Sequence, residues 1–425
     1  LKSKNYNYIR KIVSILLKNN KEKDAISVVQ KIRLEPNRKS FYSLDLGMYY
    51  SLRFNIENTL DEYLLYLENN PKNIRIINQR VMLISNNESS IKSIINKLSK
   101  SDLREAKIVH SKLEFKLGNY KQSYALINQI DNNEVYKIDL IKDLIKIDEF
   151  ALSQDIINDV IDSTNDKKIL NEAIFLLASL YEKQIISNDH IFSISHYLFK
   201  NQILDSPFIK LNTDYSNLLS KAIDIYDSLS TFNKDYKASY QLAEIKYKII
   251  GDLDGAKKIY NKIFNSGASK EYKELSLSNY INISFSKGDI QNSLNIIDSL
   301  YNLKLSDNIN NMLDIKKIQL HYYTKNRNSL IDACNNKLKQ IERDDMSYND
   351  ILDISSTFSF YSDKELEQYI DAKFKLTQNK RSQAIEILES IDKDNNIYEL
   401  ANLESAYLEI LQGDYLAALD NLNKI

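Results

Sequence analysis

Apolar and polar positions recur along this chain with the period of a helix. After Ala256 the apolar residues are Tyr260 and Ile263; after Ser293 they are Ile297 and Leu300; after Ala418 they are Leu422 and Ile425. Each set falls at i, i+4 and i+7 and so shares one helix face. In front of each run stands a Gly followed by Asp: Gly251-Asp252, Gly288-Asp289 and Gly413-Asp414. Gly118-Asn119 repeats the pattern with Asn, and the four pairs use four of the seven glycines. An aromatic or aliphatic residue comes two after each Gly (Tyr120, Leu253, Ile290, Tyr415) and a small one five after it (Ser123, Ala256, Ser293, Ala418). Gly closes a helix because it takes positive φ without a Cβ penalty. Asp or Asn then accepts from the free N–H groups that open the next helix. The pattern predicts helical hairpins, with Gly118, Gly251, Gly288 and Gly413 at the turns and the small residues buried where paired helices approach.

The small residue sets a period. Ala25 and Thr59, Ala222 and Ala256, and Ala384 and Ala418 are each 34 residues apart; Ser123 to Ser153 is 30, and Ala256 to Ser293 is 37. Pro36 and Pro71 fall just after second helices, where proline stops a helix from continuing. Two stretches break the rhythm. From about Asn188 to Ser216, around Pro207, a longer connection or a non-repeat hairpin is expected. A helix over Leu330–Ile341, holding Cys334, is followed by an extra helix near Ser347–Tyr361. About eleven or twelve hairpins are expected over the chain. The organisation predicted is one all-α solenoid: repeats over 1–187, an irregular connection over 188–216 and repeats over 217–425. Leu416, Leu419 and Leu422 in the last hairpin lead to the expectation that the polypeptide continues or that a partner covers this end. The opening at Leu1 leaves room for a removed leader.

Composition narrows the fold further. Seven Gly and three Pro in 425 residues compare with about 12% in an average protein. Strands and tight turns consume both residues, so sandwiches, barrels and Rossmann-type sheets are set aside. Lys and Arg number 57 against 58 Asp and Glu, a net charge of −1, which argues against binding driven by phosphate neutralisation. The longest apolar runs, such as Ile174–Tyr181, fall far short of the ~18 residues a membrane span needs. The single Cys334 permits no internal disulfide and no Cys-based zinc site.

These hairpins resemble the tetratricopeptide repeat family. In the unit opening at Ser40, Gly47, Tyr50, Thr59, Tyr63, Tyr66 and Pro71 stand in register, with Phe54 at the place of the turn glycine. Units opening near Tyr6, Arg104, Lys237, Glu274, Glu365 and Glu399 match in part, and the family's early Trp is absent throughout. The resemblance implies a superhelix of stacked hairpins that binds a protein or peptide along the concave face of its first helices. Carried onto this chain, that face offers Ala238, Gln241, Ile245 and Lys248; Leu275, Ser278, Asn282 and Phe285; and Phe41, Leu44, Met48 and Ser51. The candidates taken for partner binding are Gln241, Lys248, Ser278, Asn282 and Phe285. The family's clamp for a terminal carboxylate is not matched, since Ser14 and Asp45 occupy its positions.

Catalytic chemistry finds little support in the residues. His190 and His196 are six apart and do not share a helix face as i,i+4 metal ligands would; His110 and His321 stand alone. Asp392-Lys393-Asp394-Asn395-Asn396 opens like a calcium loop, but Ile397 replaces the required Gly and Leu403 the closing Glu, so a solvated linker is expected. Phosphate-binding glycine loops and nucleophile elbows are missing. Most of the 29 Tyr are expected to be structural. The expectation is a non-catalytic scaffold without cofactor or metal, acting by protein–protein interaction and inserting in no membrane. A bacterial cell-envelope scaffold of a secretion or polysaccharide-export system is the alternative, and a solenoid segment of an enzyme is the less favoured third. Cytoplasm and periplasm both remain open.

Overall fold

The structure, a computed structural model, describes residues 5–188, 201–209, 211, 216–301 and 306–425. Helices make up 76% of the described residues, which contain no strand. The chain divides into two compact units, Leu1–Ala173 and Ile174–Ile425.

The first unit is a run of five successive helix pairs. They are α1 (Tyr6–Lys18) with α2 (Glu22–Arg33), α3 (Ser43–Ser51) with α4 (Ile56–Asn69), and α5 (Ile74–Ile84) with α6 (Glu88–Leu98); then α7 (Arg104–Lys116) with α8 (Tyr120–Asn128) and α9 (Glu134–Lys146) with α10 (Phe150–Ser163). Four of them are closely packed hairpins; in the third pair, α5 and α6 pack on α4 and α7 more than on each other. Helix α11 (Lys167–Asn188) carries the chain into the second unit, where the Phe175 ring packs 5.4 Å from Tyr226 of α12 (Ser216–Phe232). There α13 (Tyr236–Glu244) is prolonged by a π-helical turn, Ile245–Ile250, and pairs with α14 (Leu253–Phe264). Next come α15 (Lys270–Ser286) with α16 (Ile290–Tyr301) and α17 (Asp307–Tyr323) with α18 (Arg327–Leu338). The single helix α19 (Tyr348–Phe360) precedes α20 (Asp363–Thr377) with α21 (Arg381–Glu389) and α22 (Tyr398–Ile410) with α23 (Tyr415–Leu422). Helix α19 is the extra element that the lengthened spacing predicted.

The turns explain why these segments form hairpins. Gly118, Gly251, Gly288 and Gly413 have φ of 81°, 77°, 84° and 81°. The next N–H reaches back to the carbonyl five residues earlier: Asn119 to Glu114 at 2.9 Å, Asp289 to Ser284 at 3.3 Å and Asp414 to Glu409 at 3.0 Å. This bond satisfies an orphan carbonyl of the closing helix. Asp252 and Asp414 then cap the second helix, accepting from Gly255 N at 2.9 Å and Ala417 N at 3.2 Å. Asn119 departs from this: its amide donates to Glu114 Oε2 at 2.8 Å and caps nothing. The same turn recurs without glycine at Asn20, Phe54, Asp148, Lys325 and Asn379, whose φ values lie between 56° and 63°. Phe54 therefore keeps the turn that its identity seemed to break.

The small residues sit where expected. Ala25, Thr59, Ser123, Ser153, Ala222, Ala256, Ser293, Ala384 and Ala418 are all buried. Gly47 and Tyr63 meet as the register requires, the Tyr63 ring occupying the space a Cβ at Gly47 would need.

Candidate functional site

The segment Asn201–Ile209 has no regular structure, yet Ile203, Leu204 and Phe208 are 7%, 5% and 6% exposed. The irregular stretch around Pro207 is thus, over these nine residues, a strap bound to helices of its own unit. Its polar contacts come from four of them. Asn201 Nδ2 donates to Asp350 O at 2.9 Å and Asp353 Oδ2 at 2.8 Å on α19, and Gln202 N donates to Asp350 Oδ2 at 3.2 Å. Gln319 of α17 donates to the Ile203 carbonyl. Ser206 Oγ donates to Leu376 O of α20 at 3.3 Å. Ile209 N donates to Lys248 O of the π-helical turn at 2.8 Å. The Phe208 ring stands edge-on to Tyr247 at 5.5 Å, and Ile203 and Leu204 join the large apolar cluster of α15 to α22. Three of the four contacting elements, α13 with its π-helical turn, α17 and α20, open their hairpins.

Local physics gives each contact. A π-helical turn shifts the hydrogen-bond ladder, and here Asp252 N bonds Lys246 O at 2.8 Å, one residue further back than at the other glycine turns. Lys248 O is left to accept from the strap. On α19 the carboxyls of Asp350 and Asp353 are three residues apart and so neighbours on the helix surface. Burial raises the Asp350 carboxyl above the usual range and Asp353 adds to it, while the Gln202 N–H opposes both. A buried carboxylate needs donors, and the strap supplies them.

Beside the strap some donors go unused. Tyr323 is buried and its hydroxyl has no hydrogen-bond partner; Nη1 of Arg381 is buried and lacks one too. Burial lowers the Arg381 guanidinium and raises the Tyr323 phenol, and the Asp205 carboxylate of the strap acts electrostatically on both.

A second polar cluster lies on α11 to α15. Glu244 accepts from Tyr260 OH and Asn279 Nδ2, each at 2.5 Å, and pairs with Lys248. Tyr226 OH donates to Glu182 Oε2 at 3.0 Å. Burial raises the phenols of Tyr226, Tyr240 and Tyr260, and raises Glu182 too. Each phenol is thus held as a neutral donor beside a carboxylate.

The five residues selected from sequence fall on these helices with different fates. Lys248 lies in the π-helical turn, its amine on Glu244 and its carbonyl on the strap. Gln241, Ser278 and Asn282 are half-buried on α13 and α15. Phe285 is corrected: it is 5% exposed, its ring 5.0 Å from Tyr323 and 5.6 Å from Phe374. An aromatic at that position of α15 fills the space between first helices and offers no free surface. Ala238, Ile245 and Phe41 are buried as well, while Met48 and Leu275 are exposed. Asp45, which breaks the carboxylate clamp, pairs with Arg10 at 2.8 Å. Sequence reasoning missed Gln319, Asp350, Asp353, Leu376 and the strap. The one signal for the strap was four large apolar residues, Ile203, Leu204, Phe208 and Ile209, around Pro207 in a stretch that lacks helical period.

The remaining chemical candidates are packed or outside the described residues. Cys334 is buried, and burial pushes its thiol up to about 12. His110 is buried with Nε2 3.1 Å from Glu114 Oε1, and burial lowers His321. His190 and His196 lie outside the described residues. Among the described residues no three His, Cys, Asp or Glu side chains gather as metal ligands. In the Asp392–Asn396 linker Asn395 and Asn396 donate to Glu365. No helix of the described residues is long and apolar enough to cross a membrane.

Together the turns, the buried small residues and the 34-residue recurrence define an all-α protein built of tetratricopeptide-like hairpins. No protein-family model and no curated protein matches the chain. Similar solved structures include the TPR domain of P58(IPK), at 12% identity and TM-score 0.22 over 90% of this chain and 91% of that one. Another is the APC/C hetero-tetramer Cut9–Hcn1, at 11% and 0.28 over 99% and 96%. A third is yeast Tom70, at 13% and 0.26 over 100% and 92%.

Proposed function

We propose that this chain is a non-catalytic scaffold that binds a polypeptide partner on the hairpin-opening helices of the second unit. The observation that carries this reading is the strap: these helices already hold a nine-residue irregular segment, turned at Asn201–Leu204, by backbone bonds and buried apolar side chains. Peptide ligands are held by that combination, in which main-chain bonds give affinity and side-chain pockets give specificity. Stacked hairpins offer a long surface suited to such a ligand. The chemistry of the polar groups supports the non-catalytic part: Glu244 is occupied by a tyrosine, an asparagine and a lysine, and the Cys334 thiol is held protonated.

The test is retention of a partner from the native organism on the full chain, compared with variants of this face. Gln319→Ala and Lys248→Glu are expected to reduce a retained polypeptide at least tenfold, while a change at the exposed Met346 leaves it. Partner retention that survives both changes would place the binding surface elsewhere.

A further inference from the structure

We propose that the strap Asn201–Ile209 is a built-in, displaceable occupant of the partner site, and that the partner is an irregular peptide segment with two adjacent aliphatic residues, an acidic residue longer than Asp, and a Pro–aromatic pair. The inference rests on the scaffold reading and deepens it.

Two independent observations carry it. The first is that the strap is held as a ligand is held. Its own bonds hold a turn at Asn201–Leu204 and tie Phe208 N to Ser206, and its backbone meets the helices at only a few points: Gln202 N, Ile203 O and Ile209 N. Removing the strap would free the Lys248 carbonyl and take the Gln202 N–H from the Asp350 carboxylate, two places that an incoming peptide would have to fill. The second is that the fit is incomplete. Arg381 Nη1 and the Tyr323 hydroxyl are buried without hydrogen-bond partners, although Asp205 is near enough to act electrostatically on both. Buried polar groups are nearly always satisfied, and a donor left unpaired is costly. An acidic side chain one methylene longer than Asp205, or set closer, would accept from these donors. A partner with such a residue would bind better than the strap and displace it, against the high effective concentration that tethering gives the strap. The groove would then be shut to weak, non-specific peptides and open to the matching one.

The direct experiment uses the full chain and a labelled nine-residue peptide of the strap's sequence, read by fluorescence anisotropy. In a loosened chain carrying Leu204→Asp and Phe208→Ala, the peptide should bind at least tenfold tighter than to the unaltered chain. The peptide with Asp205→Glu should bind tighter again, and Arg381→Met in the loosened chain should erase that gain. Equal binding by the loosened and unaltered chains, with helix content unchanged by circular dichroism, overturns the proposal.

If the loosened chain does not fold, native-state hydrogen exchange on the unaltered chain decides. Gln202 and Ile209 amides exchanging at least a hundredfold faster than the Tyr247 and Ile318 amides supports a displaceable strap; exchange at the same rate makes the strap fixed core and overturns it. The two readings fail separately. A loosened chain that binds the strap peptide but retains no native polypeptide sinks the scaffold reading alone. A native partner retained equally by loosened and unaltered chains sinks the strap's gating role and leaves the scaffold reading intact.

Discussion

Lys316 shows how a single side chain on α17 carries a measurable charge effect. Burial brings its amine down to about 8 from 10.5, and Nζ donates to Gln319 Oε1 at 3.1 Å. The folded pKa lies below the unfolded one, so the unfolded chain holds this proton more tightly. The resulting penalty on folding is complete below pH 8 and fades as pH rises toward 10.5. Lys316→Met should therefore raise stability at pH 7 by about 1–3 kcal/mol. Urea unfolding at pH 7 and at pH 10 checks this, and a gain of the same size at both would assign the effect to packing in place of charge. Nothing in the sequence around Lys316 separates it from the other lysines. Ser123, Ala256 and Ala418 are the opposite case. Their smallness at a fixed distance from a turn glycine announced their burial, since a close helix crossing leaves room for nothing larger.

At the scale of an element, the hairpin is specified by its turn. A residue with positive φ, the N–H that reaches back to the closing helix and a small residue one turn into the next helix suffice. Glycine made four of these turns readable; Phe54 and Lys325 concealed the same turn because their side chains carry no sign of it. The contact behind the turn is tight. Ala256, fully buried beside Ala243, Tyr247, Tyr260 and Phe208, is expected to tolerate no enlargement. Ala256→Leu should cost about 1–3 kcal/mol through overpacking, read as a lowered thermal midpoint; an unchanged midpoint would mean that α13 and α14 are paired differently. The π-helical turn at the end of α13 was not legible. Ile245–Ile250 reads as ordinary helix, and only its exit through Gly251 and its bond to Ile209 distinguish it.

For the whole molecule, stacked hairpins make stability local, each depending on its neighbours. Gly47→Ala drives a methyl into the Tyr63 ring and should destabilise α3 and α4 by about 1–3 kcal/mol. Hydrogen exchange should show lost protection in those helices and their immediate neighbours, with α22 and α23 unaffected; a uniform loss across the chain would argue for one cooperative core. The repeat itself follows from sequence alone. Scarce glycine and proline, amphipathic runs and a small residue recurring at 30 to 37 positions dictate helices in pairs, because each of these signals acts within one hairpin. The proposed partner surface does not follow in the same way. Lys248 lies in the π-helical turn against the strap, whereas Phe285 is core. The strap joins Asn201 to Asp350 and Asp353, and Ile203 to Gln319, across more than a hundred residues. No periodicity encodes which helix face an irregular segment will cover. That choice is made only when the hairpins have stacked and brought the carboxylates of α19, the amide of Gln319 and the carbonyl of Lys248 along one extended path.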